Sequence, residues 1–394
     1  MSKSREQVVN FAAGPAALPT NVLEQAAKDL INYQGCGMSL AELSHRGKPA
    51  QKILKDAVAN LNTLLEIPDN YDVLFMQGGG TTQFSALVYN VLAHRLLKKG
   101  SVEGVKLDYV VTGAWSSKAA AEAKRLYPQG TNVVANAKAL NGKFGSIPPQ
   151  DTWKTSDPAN TAFLYYCDNE TIDGVEFPAP PTVPEGVELI ADTSSNILSR
   201  KIDVSKHAII YAGAQKNIGM PGVTIVIIRK DLLERADAAQ CSAAGVPVTP
   251  IMLDYKTIAD NESLYNTLPV FPVHIANLVF EHLLARGGLQ AQEDRNTAKS
   301  SLLYNTLAAY PSLYTIVADA DCRSRTNVPF RIQGEGFEDE FLKGAEEMDM
   351  YQLKGHRSVG GIRASLYNAV ELEGVEKLVN YLKEFAQAKG VAPQ

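Results

Sequence analysis

Six short stretches of the chain hold residue types that could do chemistry together. In Ala212-Gly-Ala-Gln-Lys216-Asn-Ile-Gly219 a single lysine sits among small, apolar and glycine neighbours, with no acidic residue beside it. A lysine whose amine is partly desolvated has a lowered pKa and becomes a nucleophile toward aldehydes. On this peptide alone a solvated loop lysine is the commoner outcome, by about two to one. Glu188-Leu-Ile-Ala-Asp192-Thr-Ser-Ser195 closes an apolar run with a carboxylate. That is the edge where open α/β sheets keep their ligands. A carboxylate there can hold the proton on a pyridine-type nitrogen, and it can equally cap a helix. Gly78-Gly79-Gly80-Thr81-Thr82 lets backbone amides approach an anion at a helix amino terminus, or serves as a plain turn. No Gly-Lys-Ser/Thr follows and no GxGxxG is formed, which disfavours a nucleotide site.

Trp115, in Thr112-Gly-Ala-Trp-Ser-Ser, is one of only two tryptophans. It follows a strand-like run, so its indole could stack on a flat ring or simply join the core. Two His-Arg pairs complete the set: Ser44-His45-Arg46-Gly47-Lys48 and Lys354-Gly-His356-Arg357-Ser358. A guanidinium fork with an imidazole suits a doubly charged phosphate. Either pair alone reads as a solvated loop; two such pairs, each beside a glycine, are harder to dismiss.

These residues need elements to position them. Short β-branched apolar runs at 73–76, 109–112, 132–135, 162–166, 187–191, 208–211 and 223–228 read as strands covered on both faces. Helical patterns lie among them, the first opening at Asn21 and Glu24 as a cap pair with Leu23, Ala26, Ala27 and Leu30 on one face. Others pass through Ile53, Leu54, Ala57, Leu61 and Leu64, and through Phe84, Leu87, Val88, Val91 and Leu92. The alternation predicts a largely parallel α/β sheet, and the short spacing before 223–228 permits one antiparallel strand. After about Phe271 helices at 273–286, 290–307, 338–348 and 372–388 flank strands at 314–318 and 327–332, as a smaller α+β domain would.

Composition removes several alternatives. The 394 residues, 45% hydrophobic, are ample for one large core or two domains. Thirty-eight basic against 43 acidic side chains leave −5, with no clustered cations for nucleic acid or an anionic membrane. Cys36, Cys167, Cys241 and Cys322 stand far apart without a CxxC pair, which suggests neither a disulfide framework nor a zinc site. The amino terminus lacks a signal-peptide apolar core, and no apolar run approaches the ~20 residues of a membrane helix. A cytoplasmic chain is expected.

Together the stretches resemble one family along almost the whole chain, the phosphoserine aminotransferases. These are class-V, fold-type-I enzymes dependent on pyridoxal 5′-phosphate (PLP). The resemblance rests on Asn10-Phe-Ala-Ala-Gly-Pro15, Glu42-Leu-Ser-His-Arg-Gly47, Gln77-Gly-Gly-Gly80, Asn169-Glu-Thr-Ile-Asp-Gly174, Ile197-Leu-Ser-Arg200, Ala212–Gly219, Tyr265-Asn-Thr267 and the stretch from Leu353 to Ala364. The strings AGAQKN and KGHR-x-VGG are highly specific.

The resemblance implies a large PLP-binding α/β domain over 16–285, with a mostly parallel seven-stranded sheet between helices. A smaller α+β domain would comprise 286–394 with 1–15. It makes Lys216 the Schiff-base lysine, Asp192 the partner of the pyridine nitrogen and Trp115 the ring stack. Gly80, Thr81 and Gln215 would hold the cofactor phosphate, and Thr171 would hydrogen-bond the cofactor near its ring. Asn266 and Thr267 would reach the phosphate in a neighbouring subunit, which implies a homodimer. His45, Arg46, His356 and Arg357 would receive the substrate's distal anion, and Arg363 the α-carboxylate. No metal is implied. The implied reaction joins L-glutamate and 3-phosphohydroxypyruvate to give O-phospho-L-serine and 2-oxoglutarate, in L-serine biosynthesis.

The chain departs from the pattern at Thr81, where several members carry Arg, and over Cys241–Asp254, which is longer than in shorter members. Two rivals are an alanine–glyoxylate transaminase or cysteine desulfurase, and a catalytically silent protein of the same fold. The doubled His-Arg set, the lack of a cysteine in a clear mobile loop and the intact Lys216, Asp192 and Arg363 argue against them.

Overall fold

The computed structural model describes residues 3–394. Its central sheet has seven strands, in the spatial order Tyr71–Met76, Thr224–Arg229, Ile209–Gly213, Glu188–Asp192, Thr161–Cys167, Lys106–Val111, Thr131–Asn136. The strands from Ile209–Gly213 to Thr131–Asn136 pair in parallel, while Thr224–Arg229 is antiparallel to both neighbours. The reason is local. The stretch from Gly213 to Thr224 is too short for the crossover a parallel return requires.

Alternate residues of these strands enter two different cores. Leu74, Tyr109, Tyr165, Ile190, Tyr211 and Val226 face one side, with Phe84, Leu87 and Ala119 from the helices Gly79–Lys99 and Ala114–Leu126. Their neighbours Phe75, Val110, Tyr166, Ala191, Ala212 and Ile225 face the other, with Ile53, Leu61 and Val273 from Lys48–Leu65 and Val270–Ala285. A sheet buried on both faces has no polar stripe to display, which is why its strands read as unbroken apolar runs.

The first helix corrects one expectation. It runs Thr20–Ile31 with Pro19 at the cap position, so Asn21 lies inside the first turn. Its buried side chains are Val22, Ala26 and Asp29, while Leu30 is exposed. The Asp29 carboxylate meets His274 Nε2 at 2.8 Å, and that pairing turns a polar position inward.

A third core holds Leu303, Phe330, Phe341, Leu378 and Leu382. Around it stand an antiparallel three-stranded sheet (Tyr314–Ile316, Asn327–Ile332, Ile362–Ser365) and the helices Gly288–Ala308, Phe337–Glu347 and Leu372–Ala388. Phe11 joins this core from the far end of the chain, and Val9–Asn10 pairs in parallel with Met350–Tyr351. From there the chain crosses to the central sheet, where Ala16 donates its N–H to the Gln215 carbonyl at 2.9 Å. No helix among the described residues is long and apolar enough to cross a membrane.

Candidate active site

Because six of the seven strands run one way, their carboxyl ends open on one edge of the sheet, and the candidate residues come from the turns there. Asp192 is the last residue of its strand. Lys216 lies in the turn after Ile209–Gly213, and Gly78–Thr81 lead from Tyr71–Met76 into the helix Gly79–Lys99. Trp115 sits on the first turn of Ala114–Leu126, and Thr171 in the bend of a hairpin, Asn169–Glu170 with Val175–Glu176. Across the opening, Arg363 projects from the strand Ile362–Ser365 and His356 from the loop before it. The structure brings nine predicted residues to one cavity of about 310 Å³: Gly80, Thr81, Trp115, Thr171, Asp192, Gln215, Lys216, His356 and Arg363.

Lys216 is buried and makes no salt bridge among the described residues. Its Nζ donates to Thr171 Oγ1 at 3.1 Å and stands 5.9 Å from the centre of the Trp115 ring. Burial holds the amine below its ordinary pKa, while the Asp192 charge, absent from the lysine's own peptide, pulls the other way. The result is an amine that is easier to deprotonate than a surface lysine, facing open space. Asp192 is buried too, with Oδ1 accepting the Ser194 N–H at 2.9 Å and no cation paired to it. The indole Nε1 of Trp115 is buried with no hydrogen-bond partner among the described residues.

The glycine turn is built for backbone approach. Gly78 has φ +100°, and a Cβ there would lie 2.2 Å from Thr82 Oγ1, so only glycine fits. The helix that follows has no side-chain cap, which leaves its first-turn N–H groups and its dipole directed at the cavity. On the opposite wall, Arg363 is half-buried and donates to the Thr171 carbonyl at 3.4 Å. Desolvation and the neighbouring Arg363, Arg357 and Lys118 charges keep His356 below its ordinary pKa.

Five predicted residues do not line the cavity. Arg357 is exposed beside it. Asn266 and Thr267 lie exposed beyond the sheet edge, with the Thr267 carbonyl accepting from Gln77 Nε2 at 3.4 Å. His45 and Arg46 precede the helix Lys48–Leu65; Arg46 is exposed, and His45 Nε2 is buried without a partner among the described residues.

Several lining residues escaped the sequence reading. Ser194 and Ser195 follow Asp192, and Ser194 Oγ accepts the Gly213 N–H at 3.1 Å. Asn169 also lines the cavity, donating to Ser195 Oγ at 2.7 Å and to Asn327 Oδ1 at 2.9 Å, which ties the hairpin to the smaller sheet. Gly14 closes the floor with φ +129°, where a Cβ would come within 3.3 Å of Lys216 Cγ. These residues stand inside strings already quoted; what was missing was any sign of which way each points.

The chain belongs to the class-V aminotransferases, whose family profile matches residues 8–378. Within that class its relatives are phosphoserine aminotransferases. That of Saccharomyces cerevisiae is 46% identical, covering 98% of this chain and 99% of the yeast one. The solved phosphoserine aminotransferase of Bacillus circulans subsp. alkalophilus is 42% identical with a TM-score of 0.89, over 98% of this chain and 100% of that one. A PLP-bound phosphoserine aminotransferase from Trichomonas vaginalis is 40% identical with a TM-score of 0.85, over 95% of this chain and 99% of that one. The residues present here fit such a group: an uncapped helix terminus for an anion, an unpaired buried indole N–H, a carboxylate without a cation and a desolvated lysine share one cavity.

Proposed function

We propose that the chain transfers the amino group of L-glutamate to 3-phosphohydroxypyruvate, giving 2-oxoglutarate and O-phospho-L-serine, with PLP as its cofactor. This is a step of L-serine biosynthesis. The observation that carries the reading is that Lys216 and Asp192, both buried and neither held in a salt bridge among the described residues, line one cavity walled by Trp115. When bound, PLP supplies an aldehyde that captures amines and a protonated ring that withdraws electrons from an adjacent carbanion.

The chain's own residues do the rest. Lys216 would be the residue that holds the cofactor's aldehyde carbon, and its amine is the group placed to take up and return a proton at the substrate's α-carbon. Its basicity, lowered by burial, leaves the amine easier to free of its proton than a surface lysine's. Asp192 would hold the proton on the pyridine nitrogen, and Trp115 would wall the ring. Thr171, already bonded to Lys216, orients the ring edge. Gly80, Thr81 and Gln215 receive the cofactor phosphate at the uncapped helix terminus. Arg363 grips the substrate α-carboxylate with a planar fork, and His356 with Arg357 takes the distal anion.

The enzyme works as a homodimer in the cytoplasm. Asn266 and Thr267 serve the partner's cofactor phosphate. His45 and Arg46 complete the distal-anion site from the same direction, which accounts for cations that miss their own chain's cavity. The chain divides into 16–285 and 286–394 with 1–15, a reading supported by the separate third core and by Phe11 within it. The reaction runs ping-pong, with 2-oxoglutarate leaving before the keto acid enters.

A keto-acid panel with glutamate as donor tests the substrate. Losing two or three charge-assisted hydrogen bonds lowers kcat/KM by about 10³-fold or more, so hydroxypyruvate without its phosphate should be used that much less well. Equal use of both would overturn the phosphate reading and leave only a generic aminotransferase.

A further inference from the structure

The helix Ala114–Leu126 has no cap of its own. Its cap position is Gly113, which carries no side chain. A carboxylate from a distant part of the chain takes that place. Glu170 Oε2 accepts the Trp115 N–H at 2.9 Å, and Oε1 accepts the Ser116 N–H at 2.8 Å and the Ser116 hydroxyl at 2.5 Å. Ser116 Oγ in turn accepts the Thr112 and Gly113 N–H groups at 3.0 and 3.1 Å. Glu170 is fully buried and has no salt bridge among the described residues. A buried carboxylate without a cation is expensive, and burial pushes its pKa up to about 7. Gly113 is the condition for the contact, because a Cβ there would lie 2.4 Å from Glu170 Cδ.

The neighbours of Glu170 make this more than a helix cap. On one side Asn169 lines the cavity; on the other Thr171 holds Lys216 Nζ. A single short hairpin therefore fixes both the hydrogen-bond partner of Lys216 and the backbone N–H of Trp115. We propose that Glu170 is a positioning residue: it locks the first turn of Ala114–Leu126 to the hairpin, and so sets the indole of Trp115 at a fixed distance from Lys216. The inference rests on the reading of Trp115 as the wall of the cofactor site. Three donors converge on two carboxylate oxygens, and glutamine can offer only one oxygen, so its NH2 must face at least one N–H. Glu170→Gln thus keeps the shape and breaks the cap.

The test uses tryptophan emission, since Trp115 and Trp153 are the only indoles. In a Trp153→Phe background, acrylamide quenching of the cofactor-free protein reports Trp115 alone, independently of any transamination. Glu170→Gln should raise the quenching constant about twofold or more, because an uncapped first turn frays. In the holoenzyme, kcat should fall about 10- to 100-fold with KM for glutamate nearly unchanged, the cost of a misplaced wall. A merely structural role would lower the melting temperature and leave the quenching of the folded protein as it was. That result overturns the proposal. If transamination of phosphohydroxypyruvate were absent while quenching still rose, the function would be wrong and the positioning right. Should Glu170→Gln not fold, Gly113→Ala displaces the same carboxylate without altering it, and unchanged quenching there is equally fatal.

Discussion

Asp192 shows how much one side chain's surroundings decide. It is a buried carboxylate that accepts one backbone N–H and pairs with no cation, although Lys216 is in the same cavity. Left unneutralised, its charge is available to whatever proton donor enters, and a pyridinium is such a donor. Asp192→Asn keeps the size and discards the charge. The variant should still bind PLP and lose at least ~10²-fold in kcat, comparable to removing a strong electrostatic stabiliser. Rates measured with the cofactor absorption band intact would show it, and a loss of only a few-fold would remove Asp192 from this role.

At the scale of elements, much of the fold was legible before any coordinates. The apolar runs at 162–166 and 223–228 became the strands Thr161–Cys167 and Thr224–Arg229, and the helix predicted at 372–388 has those bounds. They were readable because burial on both faces, or on one helical stripe, writes itself into local composition. The hairpin Asn169–Glu176 was not read, since its two-residue strands carry no periodicity and its side chains Asn169 and Glu176 are held by distant Asn327 and Arg200. The cap at Gly113 was invisible for the same reason: its carboxylate lies 57 positions away in the chain, and the sequence reading credited only local caps. Likewise AGAQKN pointed to Lys216, but nothing local could say that Thr171 would hold its amine.

One element-scale contact has a consequence for acid stability. His207 is buried, accepting from the Tyr166 hydroxyl at Nε2 (2.8 Å) and donating from Nδ1 to the Asp203 carbonyl (3.0 Å), so the fold selects the neutral ring. Burial lowers its pKa from 6.5 to about 4. Between those values the unfolded chain binds the proton and the folded one does not. Stability contributed by this group therefore rises from pH 4 to 6.5 and is lost on acidification, by up to about 3 kcal/mol. Urea unfolding of the parent and of His207→Asn at pH 4.5 and 6.5 checks it. The difference in stability between the two proteins should shrink toward the lower pH; a constant difference would mean the ring is not held neutral.

For the whole molecule, the proposed assembly makes a prediction that no single chain can satisfy. If Asn266 and Thr267 serve the partner's site, Thr267→Val on one chain and Lys216→Ala on the other fall in the same active site of a mixed dimer. One site then carries both lesions and the other neither. Mixing the two inactive or weakened proteins under conditions of subunit exchange should restore activity toward half of the parent's per mixed dimer. No recovery, with exchange proven by differently tagged chains, would place each site within one chain.

The strap at the amino terminus has a bearing on how this protein must be made. Phe11 packs in a core whose other members include Leu378 and Leu382, and its strand partner is Met350–Tyr351. During synthesis Val9–Phe11 precede by far the residues that seat them, Met350–Tyr351 and the helix bearing Leu378 and Leu382. The central sheet, whose seven strands all lie between Tyr71 and Arg229, can assemble meanwhile. The strap also ends on the Gln215 carbonyl, one residue before Lys216. Birth order and function are thereby joined: the last seam to close is the one that runs beneath the reactive lysine, so a nascent or truncated chain cannot present a finished site.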